Sequence, residues 1–269
     1  MSIISRADVI AATGTVHFPA VASLLMRVMK IDAFNQMMRS AEALEGVAFT
    51  QYALNYLGIN IEIDPAGIAN IPADGAFIAV ANHPYGAVES LALLSLLVTK
   101  RPDTLFMGNF LLKRVPHLAQ YIIGVNPFES LKDSSSISGL KTTLQKLKSG
   151  TPVAIFPAGE VSAYDFKTQS VTDKQWHPVV GKLIAKANVP VLPIYFHGSN
   201  GLVFSLLRYI HPSLQTAMLP AELFNKKGMT LRISIGKPFY PDAVCTEKNQ
   251  GDILSFTREQ TYSLKEKHN

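Results

Sequence analysis

Cysteine is almost absent: a single one, Cys245, stands among 269 residues. That excludes an internal disulfide and a cysteine-rich metal site, and it makes a reducing compartment the expected setting. Long apolar runs are missing as well. No eighteen-residue stretch is apolar and uncharged throughout, and residues 1–16 lack a basic start followed by a long apolar block. Neither a spanning helix nor a signal peptide is therefore expected. The seven histidines do not fall at metal-ligand spacings, no His-Glu-X-X-His helix occurs, and no metal is expected. A Gly-X-Ser-X-Gly elbow is absent too, which removes Ser-His-Asp hydrolysis from the front rank. Repeats and low-complexity tracts are also lacking.

A hydrophobic content of 48% over 269 residues allows one large domain, or a compact core with a small appendage. The net charge of +5 suits an anionic partner: a membrane surface, an acidic carrier protein or a nucleic acid. Basic residues are scattered and no aromatic-basic motif interleaves them, so no nucleic acid is expected.

The chain is organised around Ala76-Phe77-Ile78-Ala79-Val80-Ala81-Asn82-His83-Pro84-Tyr85-Gly86-Ala87-Val88-Glu89-Ser90. Its unbroken apolar start reads as a buried strand. Pro84-Tyr85-Gly86 breaks that strand, and the Leu-rich run over 89–100 reads as a buried helix. His83 thus sits at a strand-to-helix switch, the place where open α/β sheets bind ligands. An imidazole with a carboxylate six positions on can act as a general base, the acid fixing the tautomer and favouring the imidazolium. By itself the pair reads equally as a capped structural group at a helix start.

A second segment repeats the pattern of apolar strand, turn and polar tip: Val153-Ala154-Ile155-Phe156-Pro157-Ala158-Gly159-Glu160-Val161-Ser162. Gly159 lets a ligand approach the backbone, the Ser162 hydroxyl can donate, and Glu160 can accept. Together, Asn82-His83-Pro84-X-Gly with its acid and Phe-Pro-X-Gly-Glu-X-Ser some seventy residues later resemble the glycerolipid acyltransferase family typified by bacterial lysophosphatidate acyltransferases. Val189-Pro190-Val191-Leu192-Pro193-Ile194 is similar to that family's fourth block. His211-Pro212-Ser213-Leu214 and residues 222–228 resemble the haemolysin-like branch, which includes N-acyltransferases of lyso-ornithine-type aminolipids. The resemblance spans roughly residues 60–240.

Two departures from the family pattern stand out. Five residues separate His83 from Glu89, where most members have four before an Asp, and the usual Glu-Gly-Thr-Arg reads Ala158-Gly159-Glu160-Val161. The arginine that commonly meets an acceptor phosphate is missing, and Glu160 suits a cationic amine.

The resemblance implies an α/β fold, a mixed sheet flanked by helices, preceded by an N-terminal helical hairpin. The expected parts are a membrane-facing segment over 1–58, an acyltransferase domain over 59–245 and a peripheral tail over 246–269. It implies an acyltransferase with His83 as base and Glu89 as its orienter. Asn82, Gly86, Pro127, Phe128, Pro157, Gly159, Glu160 and Ser162 would position the acceptor. The donor would be an acyl thioester of acyl carrier protein or coenzyme A, with no further cofactor. The acceptor would be the α-amine of an amino acid in aminolipid synthesis. O-acylation of a lysophospholipid and a non-enzymatic membrane-lytic role are the alternatives. The setting would be peripheral, on the cytoplasmic face of the inner membrane.

For the N-terminal segment the residues leave two readings. Ala20, Leu24, Leu25, Val28, Met29, Ile31, Phe34, Met37 and Met38 recur at helical spacing. Two helices, broken near 30–34 or 44–46, either pack on the core or lie on an anionic bilayer. Further strands are expected at 60–63, 104–108, 151–156 and 230–236, and helices at 137–148 and 176–187.

Overall fold

The computed structural model describes residues 4–7, 10, 19–125, 134–210, 212–243 and 253–268. Strands β1 (Asn60–Ile63), β2 (Ile78–Ala81), β3 (Leu105–Asn109), β4 (Ile122–Val125), β5 (Val153–Ile155), β8 (Val191–Phe196) and β9 (Thr230–Ile235) form one sheet. Its order is β1-β9-β8-β2-β5-β3-β4. The run from β8 to β4 is parallel, while β9 pairs antiparallel with β8 and parallel with β1. The mixed α/β sheet that the resemblance implies is therefore present. A two-stranded hairpin, β6 (Ala163–Asp165) with β7 (Ser170–Thr172), stands apart from it.

All four β2 residues are fully buried, as a strand without polar side chains must be when both sheet faces are covered. Their alternation sorts them by size. Ala79 and Ala81 face one layer, the core they share with α3 (Gly46–Tyr56) and α5 (Val88–Lys100), two helices that pack on each other. Ile78 and Val80 face the other, packing with Trp176 and with Ile184 of α7 (Pro178–Ala187). Helix α5 carries Leu91, Leu93, Leu94 and Leu97, good helix formers that supply the first layer's core.

The N-terminal helices divide more finely than expected. Helix α1 (Pro19–Val28) stops where Lys30 turns left-handed at φ 52°, and α2 (Ile31–Ser40) ends before a second break that leads into α3. Gly46 opens α3 at φ 53° because a β-carbon there would lie 2.6 Å from the Tyr121 hydroxyl oxygen. Both readings of this segment have a place: α3 buries Phe49, Ala53 and Leu54 in the core, whereas α1 exposes Val21, Leu24 and Val28.

The C-terminal helix α11 (Ile253–Tyr262) does not lie at the periphery as expected. It packs on β8 and α7, burying Ile253, Leu254, Thr257 and Thr261. Polar in composition, it hid an inward face made partly of threonines, whose hydroxyls bond the helix's own carbonyls. Its Tyr262 hydroxyl accepts from the Asp173 amide at 3.1 Å and from Thr172.

Two stability predictions follow from this packing. Leu93→Ala, at a fully buried position, should cost about 2–5 kcal/mol and lower the urea midpoint without changing its slope. The phenols of Tyr85 and Tyr262 are both pushed up to about 12, by burial first and then by Glu89 and Asp173 respectively. In the unfolded chain they ionise near about pH 10. Their contribution is thus whole below about pH 10 and is lost as the pH climbs through about 12. Tyr262→Phe should lower stability at neutral pH but flatten its alkaline fall, measured as thermal midpoints across that window.

Candidate active site

His83 follows β2 at its carboxyl end, and Glu89 lies in the first turn of α5. Between them the chain wraps around the acid. The amides of Tyr85 and Gly86 each donate to Glu89 Oε1 at 2.7 Å, and the His83 Nδ1 lies 3.1 Å from the same oxygen. Gly86 makes the wrap possible at φ 92°, where a β-carbon would meet Leu219 at 2.5 Å and Val161 at 2.9 Å. This turn absorbs the extra residue between base and acid.

Glu89 is fully buried, whereas the imidazole retains 15% of its surface. The contact between them is close but not aligned as a hydrogen bond: neither His83 Nδ1 nor Glu89 Oε2 has a hydrogen-bond partner among the described residues. A small tilt of the ring would align it, as often happens when a substrate closes a site. Phe156 stacks on the imidazole, centroid to centroid 4.1 Å. With Nδ1 turned to a carboxylate, Nε2 is the nitrogen that can take and return a proton.

The third block is tied to this loop by backbone. The Ser162 amide donates to the His83 carbonyl at 2.8 Å. Asp173, which sequence reasoning missed, secures the junction: its Oδ1 accepts from the His83 amide at 3.1 Å and from the Ser162 hydroxyl at 2.5 Å, and its Oδ2 from the Trp176 indole at 3.0 Å. Asp173 is 3% exposed. A buried carboxylate is stable when several donors satisfy it, and three do.

The structure gives several of the expected acceptor-side residues partners within the protein. The Asn82 amide exchanges two hydrogen bonds with the Phe196 backbone, so it joins β2 to β8. The Ser162 hydroxyl proton goes to Asp173, so that hydroxyl does not donate to a ligand. Pro157 is buried and its carbonyl accepts from the His177 amide. Gly159 is exposed at the loop tip. Pro127 and Phe128 lie outside the described residues.

Glu160 departs most from expectation. Its Oε1 is held by Lys174 and, at 3.3 Å, by Arg208, which lies on α8 (Leu202–Ile210). Burial raises its pKa and Arg208 pulls it down. A carboxylate already facing two cations is not an open receptor for an amine. No sequence signal near residue 160 announced these partners, because one lies 48 positions further along the chain.

His197 is structural: its Nε2 meets the Ser234 hydroxyl at 2.7 Å and its carbonyl accepts from Tyr85. Among the described residues no group of three or more His, Cys, Asp or Glu could hold a metal ion. No helix among them is long and apolar enough to cross a membrane.

A chain with this fold and this histidine–glutamate loop has similar relatives. A lyso-glycine lipid O-acyltransferase of Phocaeicola vulgatus is 25% identical over 251 residues, covering 91% of this chain and 87% of that protein. Its namesake from Bacteroides thetaiotaomicron is 24% identical, covering 91% and 89%. Among solved structures, the 1-acyl-sn-glycerophosphate acyltransferase PlsC of Thermotoga maritima superposes with a TM-score of 0.53 at 18% identity, over 90% of this chain and 94% of that one. That last likeness concerns the fold. The acyltransferase family model matches residues 7–269, and on that match the chain belongs to the acyltransferase family and is an acyltransferase.

Proposed function

We propose that this enzyme moves an acyl chain from a thioester donor onto the hydroxyl of a single-chain amino-acid lipid. The observation that carries the chemistry is the 3.1 Å contact between His83 Nδ1 and a fully buried Glu89. The relatives named as lyso-glycine lipid O-acyltransferases support the acceptor class. Glu160 supported an acceptor amine while its carboxylate was read as open, and its pairing with Lys174 and Arg208 removes that support. Membership of an enzyme family likewise leaves the lytic alternative without ground.

In this mechanism His83 Nε2 takes the proton from the acceptor hydroxyl as its oxygen attacks the thioester carbonyl. Glu89 stabilises the imidazolium that forms, without itself becoming protonated. The tetrahedral adduct collapses, the carbon–sulfur bond breaks, and the imidazolium returns the proton to the leaving thiolate. One ester forms, one thioester is lost and the enzyme is restored. Direct transfer needs no covalent intermediate, because binding both substrates beside one base supplies the proximity. The donor in this proposal is acyl carrier protein or acyl coenzyme A, since both present the same thioester carbonyl. The enzyme works peripherally at a lipid surface, where the exposed Val21, Leu24 and Val28 of α1 are suited to interfacial contact.

The test supplies a labelled acyl thioester with a lyso-glycine lipid, free glycine or lysophosphatidate side by side. Label should enter the lyso-glycine lipid as an alkali-labile ester. His83→Ala should lower the rate by about 10²–10⁴-fold while the protein stays folded, and Glu89→Gln should lower kcat more than it raises KM. Full activity in His83→Ala would refute the mechanism. Label entering glycine as an alkali-stable amide would refute the acceptor.

A further inference from the structure

Two cations converge on one carboxylate beside the histidine loop. Lys174 and Arg208 both reach Glu160 Oε1, so two positive charges meet at one carboxylate oxygen. The place is fixed from two sides. Glu160 is two residues from Ser162, whose amide is bonded to the His83 carbonyl, so the cluster lies within about 7 Å of chain from the histidine loop. Lys174 directly follows Asp173, the carboxylate that holds the His83 amide.

The guanidinium is under-used. Arg208 has five N–H donors, yet among the described residues it makes one polar contact, at 3.3 Å. That is long for a charge-assisted bond, which lies near about 2.7–2.9 Å. Its side chain is 12% exposed and that of Lys174 is 53% exposed, so the cluster is sheltered but reachable.

The helix that presents Arg208 points to the kind of molecule that arrives. On α8, Phe204 and Ser205 are buried, and Arg208 shares their side at spacings of four and three. The opposite side is apolar: Leu206 and Leu207 are half-buried at its middle and Leu202, Val203 and Ile210 are exposed, Val203 at 79% and Ile210 at 74%, while Tyr209, between the two sides, donates its hydroxyl to the Tyr164 carbonyl at 2.6 Å. Phe166, on the turn after β6, is exposed nearby and contacts the Tyr209 ring at 5.2 Å. One short helix thus turns a cation inward toward the site and an apolar ridge outward.

We propose that Arg208 and Lys174 form a headgroup subsite that binds the anionic group of a single-chain lipid acceptor, with the apolar ridge of α8 facing the acyl region from which that lipid comes. This rests on the acceptor reading above and deepens it: an amino-acid lipid acylated on nitrogen keeps its carboxylate, and that carboxylate is the group held. The subsite places at 208 and 174 the cationic contact that the Glu160-Val161 loop lacks. It binds the headgroup throughout the reaction, so it acts on affinity rather than on the chemical step.

The experiment measures acyl transfer from a labelled thioester to a lyso-glycine lipid, to its methyl ester and to lysophosphatidate. The wild type should favour the carboxylate over its methyl ester. Arg208→Gln should raise KM for the carboxylate lipid by about ten- to hundredfold, with kcat held within about twofold and the methyl ester unaffected. Lys174→Gln, at a half-exposed side chain, should raise it by about two- to fivefold and carries the test if Arg208→Gln does not fold. If the variants shift KM for lysophosphatidate alone, the anion subsite stands and the amino-acid acceptor fails. Equal use of acid and ester by the wild type, with KM unmoved in the variants, overturns the subsite and leaves the acyl-transfer reading intact.

Discussion

Asp173 is the constraint on which the site depends. One buried carboxylate accepts from the His83 amide, the Ser162 hydroxyl and the Trp176 indole, and its own amide donates to Tyr262 of the last helix. Those partners come from four separate stretches of chain. Asp173, Ser162 and Trp176 are buried, so breaking the cluster would leave several polar groups unpaired at about 1–3 kcal/mol each. The consequence is positional. The loop carrying His83 and the loop carrying Glu160 cannot drift apart without unsatisfying groups that have no water to turn to.

Around that clasp the electrostatics divide into two zones with different tolerances. Glu89 is fully buried and its Oε1 serves two backbone amides as well as the histidine, so its charge, length and rotamer are all prescribed. An aspartate at this position would fall one methylene short of the wrapped turn. Glu160, Lys174 and Arg208 are partly exposed, and their ion pairs are correspondingly weaker and easier to rearrange. His83 and Glu89 sit in the rigid zone, whereas Glu160, Lys174 and Arg208 sit in the adaptable one.

Much of the sheet was legible in the sequence because its signals are local. Buried parallel strands read as short unbroken apolar runs, and β2, β5 and β8 all do; the His83–Glu89 pair lies within seven residues and one turn. What stayed hidden is non-local. Asp173 gives no cue, since its meaning comes from an amide 90 positions earlier and a hydroxyl 11 earlier. The β6–β7 hairpin has strands of three residues, too short for an alternation to register. The tail read as peripheral because composition cannot tell threonines that bond their own helix from threonines that face water. The Ser162 hydroxyl reads as a donor from its chemistry and Asn82 is placed at the acceptor by the resemblance, and neither says which partner takes the bond.

The sheet order explains why loops so distant in sequence meet at one end of the sheet. β8, β2 and β5 are consecutive and parallel, with Ile78 aligned to both Val191 and Val153. Adjacent strands lie about 4.8 Å apart, so segments leaving β8 and β5 emerge within about 10 Å of each other, on either side of the one leaving β2. His83 therefore stands at the middle strand's exit, flanked by the Phe156–Ser162 loop and the His197–Asn200 loop. Asn82 closes the first pair through Phe196, and Asn200 bonds the Tyr85 carbonyl at 3.1 Å. The central loop is gripped from both neighbours, so an imidazole there keeps its place whatever the outer loops carry. That arrangement lets residue 161 be a valine rather than the usual arginine without disturbing His83, because the cations beside this loop, Lys174 and Arg208, reach Glu160 from elsewhere in the chain.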